Sequence, residues 1–268
     1  MKLSITMSYF NRKELLFATL RSFLSTTTKS KDFEVVIVDD NSNEEHKLGQ
    51  SMFTEFPFSV KLISISKEEK WWYCSSIPIN MSVQAASGDV IIIQNPECIH
   101  VGDVITHAIS CCEESDMLSY HCLAANDIET KEILKLDTLN EYNLLNCVQN
   151  SQSNNWYNHR QHRPKAYHFL SAMKRKAFME MRGFDERYAN GVAYDDDEFI
   201  HRVRLKNLNI IFVDYPFCIH LLHENFFYKI PNIKELEEIN RSLYNGTTLA
   251  ENKWIANESS KLWGSLNE

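Results

Sequence analysis

The ten residues Phe33–Ser42, FEVVIVDDNS, constrain this chain more than any other stretch. Apolar or β-branched side chains run from Phe33 to Val38, interrupted only by Glu34, and stop at Asp39, Asp40, Asn41 and Ser42. A continuous apolar run of this length, bounded by turn residues, predicts a strand buried on both faces. Such strands belong to parallel α/β sheets, which bind ligands at the carboxyl ends of their strands. Asp39 and Asp40 stand at such an end. Taken alone, the two acids also suit the N-terminus of a following helix, so the rest of the chain has to decide.

Taken in order, Lys2 to Met7 predicts a first strand with Ser8, Tyr9, Phe10 and Asn11 at its exit. Asn11 is placed to cap a helix from Arg12 to about Leu24, whose apolar face is Leu15, Leu16, Leu20, Phe23 and Leu24. After the polar TTTKSKD loop and the central strand, Ser42 or Asn43 caps a predicted helix through Glu44 and Glu45 to Met52. Val60 to Ile65 and Asp89 to Ile93 are further strands, with a helix from Ile77 to Ala86 between them. Four βα units in so short a span predict a doubly wound sheet. The second half is less regular. Helices are expected over Gly102–Cys112, Lys174–Met181 and Asp195–Lys206, and strands over Met117–Leu123, Phe169–Met173, Asn209–Val213 and Phe217–Leu222. Asp137 to Gln149 suits a helix or a hairpin, and the polar segment from Gln149 to His162 suits a binding loop. The last 40 or so residues are amphipathic and predicted mostly helical.

Composition narrows the function class. Net charge is −8 over 268 residues, which argues against nucleic acid or an anionic membrane as the main partner. No apolar run is long enough to span a bilayer, and the N-terminus reads as a strand and not a signal peptide. Seven scattered cysteines, without CxxC spacing, are expected as reduced thiols in a cytoplasmic protein.

Acidic groups recur at element boundaries: Asp39-Asp40, Glu97, and Asp195-Asp196-Asp197-Glu198, with His223 just past a strand-like run. If these strand ends converge, carboxylates and an imidazole share one cleft suited to Mn²⁺ or Mg²⁺ and a diphosphate. The competing explanation for the acidic run is a solvated helix N-terminus, where acids favour the dipole.

The succession SITMSYFNRKELL, FEVVIVDDNS, IPINMSVQAASGDVIIIQNPE and RGFDERYANGVAYDDDEF resembles the GT-A fold glycosyltransferases of family 2. The GFDE…DDDE part also resembles the carboxyl-terminal half of the galactosyltransferases and polypeptide N-acetylgalactosaminyltransferases. The likeness implies an α/β GT-A fold, a Rossmann-like mixed sheet flanked by helices, over residues 1–225. Residues 1–100 would be the nucleotide-binding half, 101–225 the acceptor and catalytic half, and 226–268 a helical extension.

The resemblance also implies roles. Ser8, Tyr9 and Asn11 would line the nucleotide. Asp40 would accept a hydrogen bond from uracil, while Asp39 supports the loop or the ribose. Asn80 would lie near the diphosphate or sugar. The family's Asp-x-Asp metal motif becomes Asn95-Pro96-Glu97 here, so Glu97 would bind the metal and Asn95 would take over the ribose contact. A His five residues after a Cys ligates the metal in related enzymes. Cys218 and His223 have that spacing, with His220 as the competing candidate. Asp196 would be the catalytic base, and Asp195 and Asp197 would contact the acceptor. The galactosyltransferases' Trp-Gly is replaced by Asn190-Gly191-Val192, so their acceptor preference does not transfer. Trp72 of the Trp71-Trp72 pair is expected at the donor site. The basic stretch His159, Arg160, His162, Arg163 and Lys165 suits either a lid over the diphosphate or a solvated loop.

The expectation is a metal-dependent inverting transferase using a UDP-sugar and a glycan, protein or small-molecule acceptor. A retaining transferase of the same fold and a non-catalytic nucleotide-sugar or glycan-binding module are the alternatives. The tail pattern serves an acceptor site or a homodimer interface equally.

Overall fold

The computed structural model describes residues 3–25, 33–149, 155–224, 229–259 and 263–265. The 26–32 connection, the start of the predicted polar loop at 150–154, and the expected boundary at 225/226 lie outside them.

Four parallel strands form one half of the sheet, in the order β3 (Ser59–Ser64), β2 (Phe33–Asp39), β1 (Leu3–Tyr9) and β4 (Val90–Gln94). Every residue of β2 is buried. Val35 and Ile37 pack on the side of Leu16, Leu20 and Phe23 from α1 (Lys13–Ser25), and Val36 packs on the side of Ile79 and Val83 from α2 (Ser76–Ala85). This two-sided burial is why the strand shows no alternation. Each fully buried side chain of this kind contributes about 1.5–3 kcal/mol relative to exposure. The order reverses between β1 and β4, so the carboxyl ends of β1, β2 and β4 open a crevice.

The sheet continues through β8 (Leu170–Lys174), β6 (Asp116–Ala124), β9 (Asn209–His220) and β5 (Cys98–Val101), with β7 (Trp156–Asn158) paired to β6. β8 is antiparallel to β4 and β6, β9 is parallel to β6, and β5 is antiparallel to β9. Helices α3 (Val104–Cys111), α4 (Asp127–Leu134), α5 (Glu141–Cys147), α6 (Arg175–Met181), α7 (Asp195–Leu205) and α8 (Ile233–Leu243) complete the fold. This is the mixed, helix-flanked GT-A sheet that the resemblance implied.

Three local expectations are corrected. Residues Glu44 to Met52 form turns and a short 3-10 helix, Gln50–Phe53, and not an α-helix. The reason is the loop's anchoring: Asp39 accepts from the amides of Ser42 and Leu48, and Tyr9 Oη donates to the His46 carbonyl at 2.6 Å. The two strands expected at Asn209–Val213 and Phe217–Leu222 are one strand, β9, whose register against β6 shifts near Tyr120 to Cys122. Helix in the described tail ends at Glu251, and the residues after it are irregular.

That tail is nevertheless packed. Trp263 joins the cluster holding Phe178, Phe184 and Phe199, and Asn240 donates to the carbonyls of Tyr188 and Ala193. Gly183 has φ +69°, and a Cβ there would meet Asn80 Oδ1 at 2.2 Å. Beneath it, buried Arg202 pairs with Glu198 one turn earlier and donates to the carbonyls of Met181 and Gly183. The last acid of the DDDE run is therefore structural. Cys98, Cys122 and Cys218 converge in the core, and burial raises all three thiols, which keeps them protonated.

Candidate active site

The crevice at the strand ends is a cleft of about 790 Å³. Ser8, Phe10 and Arg12 reach it from the exit of β1, Asp40 and Asn41 from β2, and Gln94, Asn95 and Pro96 from β4. Lys67 and the run Lys70–Ser75 form another wall, and His168 stands just before β8.

Asp40 organises one end of the cleft. Its Oδ2 accepts from Lys70 Nζ at 2.7 Å and its Oδ1 from Trp72 Nε1 at 2.9 Å. Burial pushes the Asp40 carboxyl up, and Lys70 and Trp72 only partly reverse the shift. Lys70 also lies over the Phe10 ring, 4.7 Å from its centroid. Trp72 is buried, while Trp71 is half exposed and meets it edge-on at 5.9 Å. The exposed rings at the cleft wall are thus Trp71 and Tyr73.

Glu97 lies in the turn between β4 and β5, fully buried. Arg12 Nη1 donates to both of its oxygens at 2.9 Å. His220 Nε2 and His223 Nε2 lie 3.1 and 3.3 Å from Oε1, and Asn95 Nδ2 donates to the same oxygen at 3.3 Å. Burial alone would raise this carboxyl, but Arg12 and the imidazoles outweigh it and hold Glu97 well below the usual carboxylate range. The pairing of β5 with β9 sets Cys98 opposite His220, which brings these distant segments together.

One carboxylate and two imidazoles are a donor set that fits a first-row divalent cation. Their ligand atoms lie within 4.8 Å of one another, and among the described residues the buried His220 Nδ1 has no hydrogen-bond partner. His220 and His223 thus both meet Glu97, where the spacing argument set one against the other.

The acids at the start of α7 divide three ways. Asp196 Oδ1 meets His168 Nδ1 at 2.5 Å. Asp197 accepts from Tyr167 Oη at 2.6 Å, with Lys165 Nζ at 3.8 Å. Asp195 is buried, and that burial, reinforced by the Asp196 charge, pushes its carboxyl up to about 7.

The family follows from the sequence over this frame. Residues 4–181, well over half of the chain, match the family Glycosyl transferase family 2. The chain belongs to glycosyl transferase family 2. A 100-residue stretch is 46% identical to the poly(ribitol-phosphate) beta-N-acetylglucosaminyltransferase TarP of Staphylococcus aureus strain N315, covering 37% of this chain and 29% of TarP. The fold is similar to that of S. aureus TarS residues 1–349 solved with UDP-GlcNAc, with TM-score 0.60 and 15% identity over 89% of this chain and 64% of the other. It is also similar to the mannosyltransferase PcManGT of Pyrobaculum calidifontis, solved with GDP-Man and Mn²⁺, with TM-score 0.56 and 14% identity over 93% of this chain and 63% of that one. This chain spans less than a third of TarP and just under two thirds of those structures. At such identities the structural likeness carries the fold.

Within this family 2 chain, the cleft gathers Ser8, Asp40, Trp72 and Asn95 along its walls. Three residues expected at the donor are elsewhere. Tyr9 is buried with its hydroxyl on the His46 carbonyl, because β-strand alternation turns it away from the side that Ser8 faces. Asn11 braces the loop after β2, accepting from Asn43 N, while its own amide donates to Ser42 Oγ. Asn80 is fully buried and exchanges hydrogen bonds with the backbone of Phe184. Asp39 takes the loop-supporting role. Nor does the basic stretch line the cleft: Arg160 reaches the Phe212 carbonyl, and Arg163 reaches that of Tyr157.

Arg12, Lys70 and His168 escaped the sequence reading. A signal existed for Arg12, a cation directly after a strand exit, and for Lys70, beside the paired tryptophans. None existed for His168, whose partner is 28 residues away.

Proposed function

We propose that this family 2 chain is a metal-dependent, inverting glycosyltransferase that moves a sugar from a UDP-sugar to an acceptor hydroxyl. The observation that carries the proposal is one cleft lined by Asp40 and His168, with the Glu97–His220–His223 donor set one contact behind its Arg12 and Asn95 wall and Asp196 behind His168.

Asp40, oriented by Lys70 and Trp72, accepts from the base. Ser8 and Asn95 line the nucleotide, and Trp71 or Trp72 offers an aromatic face to base or sugar. Arg12, Lys67 and Lys70 place positive charge where the diphosphate lies. Glu97, His220 and His223 would hold a divalent cation, whose charge offsets that growing on the leaving diphosphate. Two imidazoles favour Mn²⁺ over Mg²⁺, which prefers oxygen ligands. The Asp196–His168 pair removes the acceptor proton as the hydroxyl attacks the anomeric carbon. Asp195 and Asp197 flank the acceptor. The nucleotide sugars named for TarS and PcManGT support such a donor, and the free cysteines suit the cytoplasm. No described helix is long and apolar enough to cross a membrane.

The test is nucleotide release from a panel of UDP-, GDP- and dTDP-sugars with Mn²⁺. The expected result is release from a UDP-sugar, abolished by chelator and by Asp196→Asn, with UDP binding retained in that variant. Absence of both turnover and nucleotide binding overturns the proposal.

A further inference from the structure

Arg12 stands between the cleft and the buried donor set. Its side chain lines the cleft and is 20% exposed, whereas Glu97 behind it is 0% exposed and does not reach the cleft. A guanidinium normally meets a carboxylate with parallel N–H bonds from two nitrogens. Here the single Nη1 is shared between both Glu97 oxygens. The buried Nε has no hydrogen-bond partner among the described residues. The contact therefore satisfies Glu97 better than it satisfies Arg12.

The cleft is short of uncommitted positive charge. Arg12, Lys67, Lys70 and Lys229 are the cations that line it. Lys70 is paired with Asp40, Lys229 with Glu224 and Arg12 with Glu97. Among the described residues only Lys67 of this group has no carboxylate partner. A donor diphosphate entering the cleft needs more than one lysine to offset it. Arg12 is the cation next to a second set of groups that could release it.

That set is Glu97, His220 and His223. A cation held there must share Glu97 Oε1, which Arg12 Nη1, His220 Nε2, His223 Nε2 and Asn95 Nδ2 already approach within 3.3 Å. Two positive charges on one buried carboxylate repel with little water to screen them. The guanidinium is the partner with a way out, because its side chain already borders the cleft. We propose that Arg12 and a divalent cation are alternatives on Glu97, and that the displaced guanidinium turns into the cleft to bind the donor diphosphate. This rests on the transferase reading above and deepens it. Arg12 would couple the two ligands, so that cation binding readies the cleft for the nucleotide.

The experiment measures UDP binding by calorimetry to the full chain, with Mn²⁺ and after chelator treatment, in wild type and Arg12→Met. A charge-assisted hydrogen bond sets the scale, so Arg12→Met should lose about 10- to 100-fold in UDP affinity with Mn²⁺ and less than about twofold without it. Mn²⁺ alone, followed by the paramagnetic signal of the free ion, should bind Arg12→Met more tightly than wild type. By linkage, UDP should then tighten Mn²⁺ correspondingly less in the variant. Arg12→Lys keeps a charge beside Glu97 and guards against misfolding. It should fall between the two proteins in both titrations.

An equal loss of UDP affinity with and without Mn²⁺ means that Arg12 serves the diphosphate whatever Glu97 holds, and overturns the exchange. No loss in either condition means that the guanidinium never leaves Glu97, and overturns it as well. So does Mn²⁺ binding that is no tighter in Arg12→Met than in wild type. If Arg12→Met does not fold, unchanged Mn²⁺ and UDP affinities in Arg12→Lys have the same force. All of these leave the transferase reading intact. A wild-type protein that binds neither Mn²⁺ nor UDP fails at that earlier step and takes the exchange with it.

Discussion

Arg12 Nη1 donates to both oxygens of Glu97 at 2.9 Å, so the carboxylate best placed to bind a cation already carries a guanidinium. Removing one partner of a buried pair leaves an uncompensated charge, at a cost of about 3–5 kcal/mol. Arg12 is 20% exposed, which moves the expected loss for Arg12→Met toward the lower end or below it. Mn²⁺ should recover part of that loss. The thermal midpoint should therefore rise more with Mn²⁺ in Arg12→Met than in wild type. Equal rises would place the cation away from Glu97.

Asp40→Asn keeps an acceptor for Trp72 but removes the charge that Lys70 neutralises. UDP binding by calorimetry should weaken about tenfold, or 1.4 kcal/mol. Unchanged affinity would remove Asp40 from the nucleotide site.

Asp195 gives a pH signature. Its carboxyl is pushed up to about 7 by burial and by Asp196, against an ordinary 3.8. The folded state therefore holds this proton more tightly than the unfolded state. Wild-type stability falls as pH rises from about 4 to about 7, and the penalty is fully present above that. Asp195→Asn does not ionise. It should melt higher than wild type at pH 8, with the difference narrowing as pH falls toward 4. A difference independent of pH would contradict the shift.

Gly183 sits at φ +69°, where a Cβ would lie 2.2 Å from Asn80 Oδ1 and 2.5 Å from Trp263 Cζ3. Gly183→Ala should lose about 1–3 kcal/mol for the backbone alone, and more for the clash. Its tryptophan emission should shift to the red as Trp263 leaves its pocket. A variant as stable as wild type would mean that the tail relaxes at no cost.

The parallel half of the fold was legible because its signals are local. Unbroken apolar runs such as Val35–Val38 and Val90–Ile93 can be buried on both faces only inside such a sheet. The four-residue β5 was missed because its identity comes from pairing with β9, a segment more than 100 residues later. The site divides the same way. Asp40 and Glu97 announced themselves as acids at strand ends. Asn80 misled, because a buried asparagine bonded to backbone has the same sequence signature as one bonded to a ligand. His168 is invisible in one dimension, because only the folded chain sets it against Asp196.

The pairing of β5 with β9 also governs when this site exists. Glu97 comes from the first half of the chain, and His220 and His223 arrive on the last strand of the sheet. The stretch shared with the family ends at Met181, before α7 and β9 begin. A fragment cut there would keep most of the cleft wall and Glu97, yet lose Lys229, Ile230 and Pro231 from that wall and hold neither His220, His223 nor Asp196. Because the closing contacts have high sequence separation, they form late and slowly. Cation binding should therefore report completion of the whole sheet, and a nascent chain should gain nothing from the ion until its final strand has docked.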